Sequence, residues 1–255
     1  MTHAEIDHNR HKGLAANPAS RCDCNEDSHE ATKDTKDTKK IREAVKGSCT
    51  RNSRYDAEPL TLTTLLDAIV ADERKAIRLV REAPELARAR VAVERLVKEV
   101  PHQLYVGDTA LHLAAAALLP PVVEALIDAG AHVNAANRRG AIALHYACDP
   151  RPHGKTWNPA RQRLVIELLL DAGSDIERQE RAGATPLHRA VRARSPEAVR
   201  CLLERGARVD ATHGRRHTTL LHLATHSSGA GGTKGARAEQ QTIVALLREY
   251  GADAR

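Results

Sequence analysis

The chain has 255 residues with a formal net charge of +6, and contains no Phe, one Trp and four Tyr. That length holds one or two ordinary domains, and a core without large aromatics must be filled by Leu, Val, Ile and Ala, which suits closely approaching helices. The mildly basic balance permits a nucleic-acid partner, but the scarcity of aromatics that stack on bases argues against one.

Residues 1–57 carry eleven Lys and Arg against ten Asp and Glu, with a low-complexity tract Lys33-Asp34-Thr35-Lys36-Asp37-Thr38-Lys39-Lys40. So few apolar residues cannot offset the entropy of ordering, and we expect a disordered, charged N-terminal tail. Its start, Met1-Thr2-His3-Ala4-Glu5-Ile6-Asp7, lacks the apolar stretch of a secretory signal. The tail also holds His3, His8, His11, Cys22, Cys24 and His29, but Cys-x-Cys is not the spacing of a structural zinc site. We expect no metal and no cofactor. From residue 58 onward there are 24 Arg and only 4 Lys, which marks the boundary of a folded array over 58–255.

In 60–90, Leu62, Leu65, Leu66 and Ile69 fall on one helical face and Ala76, Leu79 and Val80 on the next. Pro84 ends the second helix, and the unit reads as a degenerate capping repeat. Over 91–103, Val93, Leu96, Val97 and Val100 have helical spacing and Pro101 stops the run, so the pattern predicts a short extra helix. The longest apolar run, near 110–123, is broken by His112 and Pro120-Pro121 and is too short to span a bilayer. With five cysteines, an odd number, the chain fits a reducing compartment. A cytoplasmic location is expected, with no membrane association.

A four-residue pattern then recurs: Thr109-Ala110-Leu111-His112, Ile142-Ala143-Leu144-His145, Thr185-Pro186-Leu187-His188 and Thr219-Leu220-Leu221-His222. The intervals are 33, 43 and 34 residues, a period that marks stacked repeats, with one repeat lengthened by ten. Each unit reads helix, tight loop, helix, then Gly130-Ala131, Gly173-Ser174, Gly206-Ala207 or Gly251-Ala252, where glycine supplies the left-handed residue past a helix. The repeats cover 104–136, 137–177, 180–210 and 214–253. Their second helices are expected at 122–129, 164–172, 197–205 and 241–250.

On these motifs the chain resembles the ankyrin repeat family over about 60–255. The phrases Gly107-Asp108-Thr109-Ala110-Leu111-His112 and Trp157-Asn158-Pro159 look more narrowly like bacterial ankyrin repeat proteins. The resemblance implies an all-α solenoid of helix-turn-helix repeats with short β-hairpin or turn fingers. Residues Thr109, His112, His145, Thr185, Pro186, His188, Thr219 and His222 then form the structural repeat motif. Thr185 can accept a backbone N–H as helix cap with Pro186 at the first position, and each histidine can tie one hairpin to the next. Ile142 cannot cap, which should weaken its helix start by roughly 1 kcal/mol. His217 stands where a finger glycine is usual, so the last hairpin should be shaped differently.

Two insertions, 149–157 and 227–235, lie between the helices of the second and fourth repeats. Gly154-Lys155-Thr156 is not a phosphate-binding loop, because Asp149 stands where the motif needs glycine and a helix precedes it. Trp157 is expected to pin its loop onto the helices. Cys148 lies three residues after His145, but a buried small-residue replacement is expected rather than a catalytic pair, and no nucleophile–base arrangement stands out elsewhere.

The resemblance places the partner surface on the finger tips and first helices of a concave face. There the sequence is rich in arginine: Tyr105, Arg138, Arg139, Arg181, Arg215 and Arg216 at tips, and Tyr146, Arg189, Arg192 and His226 on first helices. Successive tips should lie roughly 10 Å apart. We expect a non-enzymatic protein–protein interaction scaffold taking an acidic segment on that face. The alternatives are an accessory or regulatory subunit of an enzyme complex, or a secreted effector or toxin-associated component. The partner is an unidentified protein, and the chain is expected to be a monomer, with an end-on dimer through Leu220, Leu221 and Leu223 conceivable.

Overall fold

A computed structural model describes residues 60–252 apart from 99, 101, 151, 153–156, 215–216 and 227–235. The expectations for the tail, for Gly154-Lys155-Thr156 and for Arg215 and Arg216 fall outside these residues.

The array opens with α1, Leu62–Ala71, capped by Thr61, whose side chain accepts from the Thr64 N–H. Helix α2, Glu73–Glu82, follows after a single residue, Asp72, whose carboxylate accepts from the Arg74 and Lys75 N–H groups. Leu65, Leu66, Ala68 and Ile69 of α1 and Ala76, Leu79 and Val80 of α2 are buried, as their helical spacing requires. Pro84 ends α2 and starts a 3-10 turn, Pro84–Arg88.

The extra helix expected over 91–103 does not form. The segment is an antiparallel hairpin, β1 (Arg95–Val97) with β2 (His102–Leu104), pairing Arg95 with Leu104, Leu96 with Gln103 and Val97 with His102. Period two decided the outcome: Val97 and Leu104 share the buried face, while Leu96 is 68% exposed on the other. A helical stripe would have needed Val93 and Leu96 buried together, but Val93 is also exposed. The β-branched valines favour the extended backbone.

The four repeats follow. In order they are α3 (Ala110–Ala116) with α4 (Pro120–Asp128), α5 (Ala143–Ala147) with α6 (Pro159–Asp171), α7 (Pro186–Ala193) with α8 (Pro196–Glu204), and α9 (Leu220–His226) with α10 (Ala236–Glu249). First helices stack on first helices and second on second, giving two helical layers. The second helices start two to five residues before the apolar positions suggested, except α8, which starts one residue early. Prolines at the first turns of α4, α6 and α8 account for those three, since proline loses no hydrogen bond there, while α10 starts early on Ala236 without one.

A second hairpin, β3 (Thr212–His213) with β4 (Thr218–Thr219), forms the last finger. The fingers are linked by backbone hydrogen bonds from Arg138 N to Val106 O, from Arg181 N to Arg139 O and from Gly214 N to Ala182 O. They approach so closely that a Cβ on Gly107 would lie 3.1 Å from the Asn137 Cα, and one on Gly140 would lie 3.2 Å from the Arg181 nitrogen. Both glycines also have positive φ, at +91° and +79°.

The core is aliphatic and continuous through the stack. Leu111, Leu126, Leu144, Ile166, Leu169, Leu187 and Leu202 are essentially inaccessible. Along the second helices, Ile127 and Leu168 are half-buried, while Leu126, Leu169, Leu202, Leu203, Leu246 and Leu247 are buried. Leu220 and Leu221 are buried inside the last repeat, which leaves only Leu223 part-exposed and removes two of the three suggested end-on contacts.

Candidate partner-binding face

The repeat motif sets the first helices. At His112, Nδ1 faces the Thr109 N–H at 3.1 Å and hydroxyl at 3.0 Å, while Nε2 meets the Ala141 carbonyl of the next repeat at 3.3 Å. Only one tautomer satisfies all three: Nε2 donates to the carbonyl and Nδ1 accepts. His145 repeats this with the Ile142 N–H at 3.3 Å and the Ala184 carbonyl at 3.2 Å.

The threonines therefore act differently from the expected cap. At Thr109 and Thr185 the hydroxyl bonds the histidine ring, at 3.0 and 2.8 Å, rather than a backbone N–H. Only Thr219 accepts a backbone N–H, from His222 at 3.1 Å. His188 keeps its inward contact with Thr185, but its Nε2 makes no well-formed hydrogen bond among the described residues, and its ring meets His213 edge-on at 4.7 Å. His217 adopts the left-handed backbone of the glycine it replaces, with φ of 49°.

Burial holds these rings neutral. It pushes the pKa of His145 and of His188 down to about 4 and lowers His112 and His102 as well. The thiols of Cys148 and Cys201 are fully buried and pushed up by desolvation, Cys201 to about 12, as expected of small buried replacements rather than nucleophiles.

Beneath the first two fingers lies a polar cluster that the repeat pattern did not reveal. Asp108 is fully buried and accepts from the Tyr105 N–H at 2.6 Å, the Tyr146 hydroxyl at 2.7 Å and the Asn137 amide at 2.8 Å. Asn137 also donates to the Tyr146 oxygen and accepts from the Arg139 and Ala141 N–H groups. Tyr146 is 1% exposed, with His102 and His112 edge-on to its ring at 4.2 and 5.1 Å. It is a structural pillar, not the surface contact expected. The available signal was a lone tyrosine beside a motif histidine in a chain almost without aromatics.

The arginines divide into two groups. Arg189 is 9% exposed and bonds Asp149 at 2.8 Å and Glu180, so it too lies beneath the surface. Arg138 pairs with Glu94, which precedes β1. Arg139 donates to the Tyr105 hydroxyl at 3.1 Å and lies over its ring, with the guanidinium carbon 4.4 Å from the centroid. Arg181 is exposed at the next tip. Arg192, half-exposed, reaches Asp149 at 3.4 Å. The face is thus basic at its rim and internally neutralised by Glu94, Asp149 and Glu180 behind.

The inserted segment ends as anticipated. Trp157 is half-buried and donates to Gln162 Oε1 at 2.9 Å, and the Asn158 side chain accepts from the Arg161 N–H at 3.0 Å at the start of α6.

Comparison with known proteins agrees with this architecture. A family description of three consecutive ankyrin repeats matches residues 160–255, and a single ankyrin repeat matches residues 106–138. The chain belongs to the ankyrin repeat family. The unmatched stretch between the two holds the inserted segment that separates α5 from α6. Such repeats form protein–protein interaction modules. The chain is 34% identical over 122 residues to the human B-cell lymphoma 3 protein, covering 48% of this chain and 26% of that protein. It is 30% identical to the mouse homolog over the same length. The match therefore spans about a quarter of each relative. No helix among the described residues is long and apolar enough to cross a membrane.

Proposed function

We propose that the chain is a non-enzymatic scaffold whose concave face takes an acidic segment of a protein partner. The observation that carries this reading is Arg139, spread over Tyr105 with its neighbour Arg181 exposed one finger on. A guanidinium held flat keeps its remaining N–H groups aimed outward, matched to a carboxylate. The proposed surface is Tyr105, Arg138, Arg139, Arg181 and Arg192, with Arg215 and Arg216 continuing the row in sequence. Tyr146 and Arg189 support it from below. The Arg138–Glu94 pair is half-exposed on its arginine side, so it contributes little to stability and an incoming carboxylate can replace it.

The test pairs Arg139→Glu with Arg181→Glu and measures binding of a fluorescent ten-residue Glu-rich peptide, with a Lys-rich peptide as control. Wild type should bind the acidic peptide with an affinity that falls as salt rises. The double variant should lose at least tenfold while its thermal midpoint stays unchanged. Equal binding by both proteins refutes the reading.

A further inference from the structure

We propose that His222 and His226 form a chelating site for a divalent transition-metal ion on the outer face of α9. Both are exposed, four residues apart on one helix, with rings stacked at 4.3 Å between centroids and 15° between planes. In the first three repeats the residue four after the motif histidine is Ala116, Asp149 or Arg192. Only the last repeat places a second imidazole there. The motif histidine is also free for the task. His112 and His145 spend their ring nitrogens on an N-cap N–H and a carbonyl of the next repeat. The backbone N–H of His222 is taken by Thr219 Oγ1, and among the described residues its ring nitrogens carry no hydrogen bond.

One arrangement of the hydrogen bonds around Thr225 leaves His226 Nε2 open to a metal. When the Thr225 hydroxyl gives its single proton to a helix carbonyl, Leu221 at 2.9 Å or His222 at 3.2 Å, none is left for His226. The hydroxyl can then only accept at its 2.7 Å contact with His226 Nδ1. So Nδ1 carries the hydrogen and the Nε2 lone pair points away, the arrangement of a metal-ligating histidine whose second nitrogen is held by an outer partner. Zinc–nitrogen bonds of about 2.0–2.1 Å place two imidazole nitrogens about 3.3 Å apart in a tetrahedron, so the two exposed rings turn out of their stack until both lone pairs meet at one ion. Water completes the coordination. The donor set, two neutral imidazoles without carboxylate, selects Zn, Ni or Cu over Mg or Ca, with Ni held more tightly than Co.

The experiment uses the full chain and a residue-resolved readout, because the N-terminal histidines and cysteines offer ligands of their own. Histidine-ring NMR resonances are followed as zinc chloride is added, with magnesium chloride as control. The His222 and His226 rings should move together with one affinity, in zinc and not in magnesium. Replacing either by alanine should weaken the response of the other by at least the 10–100-fold that losing a mere outer partner costs. Thr225→Ser should behave as wild type and Thr225→Val should bind about tenfold more weakly. Rings that stay still while other histidines respond overturn the proposal, as does a His226→Ala variant in which His222 binds zinc as before. Amide exchange over 220–226 in each variant shows that the helix is intact.

Discussion

At the scale of single residues, one sequence letter carries different duties according to what covers it. His112 and His145 are seam bolts because the next finger supplies a carbonyl, whereas His222 is exposed and stacks on His226. Ile142 shows the same dependence. It forgoes the hydroxyl bond that Thr109 and Thr185 make, yet its own N–H still reaches His145 and its side chain is fully buried. Burying such a side chain contributes about 1.5–3 kcal/mol, which outweighs the roughly 1 kcal/mol of a forgone hydroxyl–imidazole hydrogen bond. His217 has no such compensation: it is exposed and holds a left-handed backbone that costs a residue with a Cβ about 1–2 kcal/mol. His217→Gly should therefore raise unfolding stability by about 1 kcal/mol, read as a higher urea midpoint with unchanged slope.

At the scale of elements, the repeats close their helix-to-helix turns in two ways. The first and third repeats use a residue with positive φ, Leu118 at 54° and Arg194 at 60°. The second and fourth, interrupted by insertions, use a glutamine from the following helix instead. Gln162 donates to the Ala147 carbonyl at 2.9 Å, and Gln240 donates to Ala224 at 2.8 Å. Gln162 is fully buried and its oxygen also accepts from Trp157 and from Ser195, at 2.9 and 2.7 Å. Gln162→Ala leaves the buried Ala147 carbonyl and Ser195 hydroxyl and the half-buried Trp157 N–H without this partner and should cost about 2–3 kcal/mol, while Gln240→Ala, part-exposed, should cost about 1 kcal/mol. Thermal unfolding of the two variants side by side checks the ranking. Equal losses would show that burial is not what separates them. The same scale explains the misread hairpin. Val93, Leu96, Val97 and Val100 have helical spacing, but the extended pairing that buries Val97 with Leu104 and turns Leu96 outward prevailed.

For the whole molecule, the seams between repeats are also its acid-sensitive parts. His145 and His188 have folded-state pKa values near 4 against 6.5 for a free ring. Below 6.5 the unfolded chain takes up protons that the folded chain refuses until about 4. Stability is therefore complete above pH 6.5 and falls as pH drops toward 4, by up to about 3 kcal/mol for each ring. Urea midpoints measured at pH 7.5, 6, 5 and 4.2 should decline through that window, and His145→Gln should flatten the slope. A flat profile would mean the rings are not neutral in the fold.

The proposed face belongs to this scale as well. Which arginines are tips followed from the repeat period, but which are free followed from carboxylates far away in sequence. Glu94 reaches Arg138 from a hairpin read as a helix, and Asp149 reaches Arg189 and Arg192 from the edge of an insertion.

By itself, the sequence determined the architecture: a 33-residue period, capping prolines and terminal glycines are local signals, and repeats can bury their apolar stripes only against one another. Only the tertiary structure decided the fate of individual polar groups. Burial of Tyr146 and Arg189, the neutral rings of His145 and His188, and the exposure of His222 all depend on which surface comes to lie against each residue, and no local pattern encodes the distance to a side chain forty positions away.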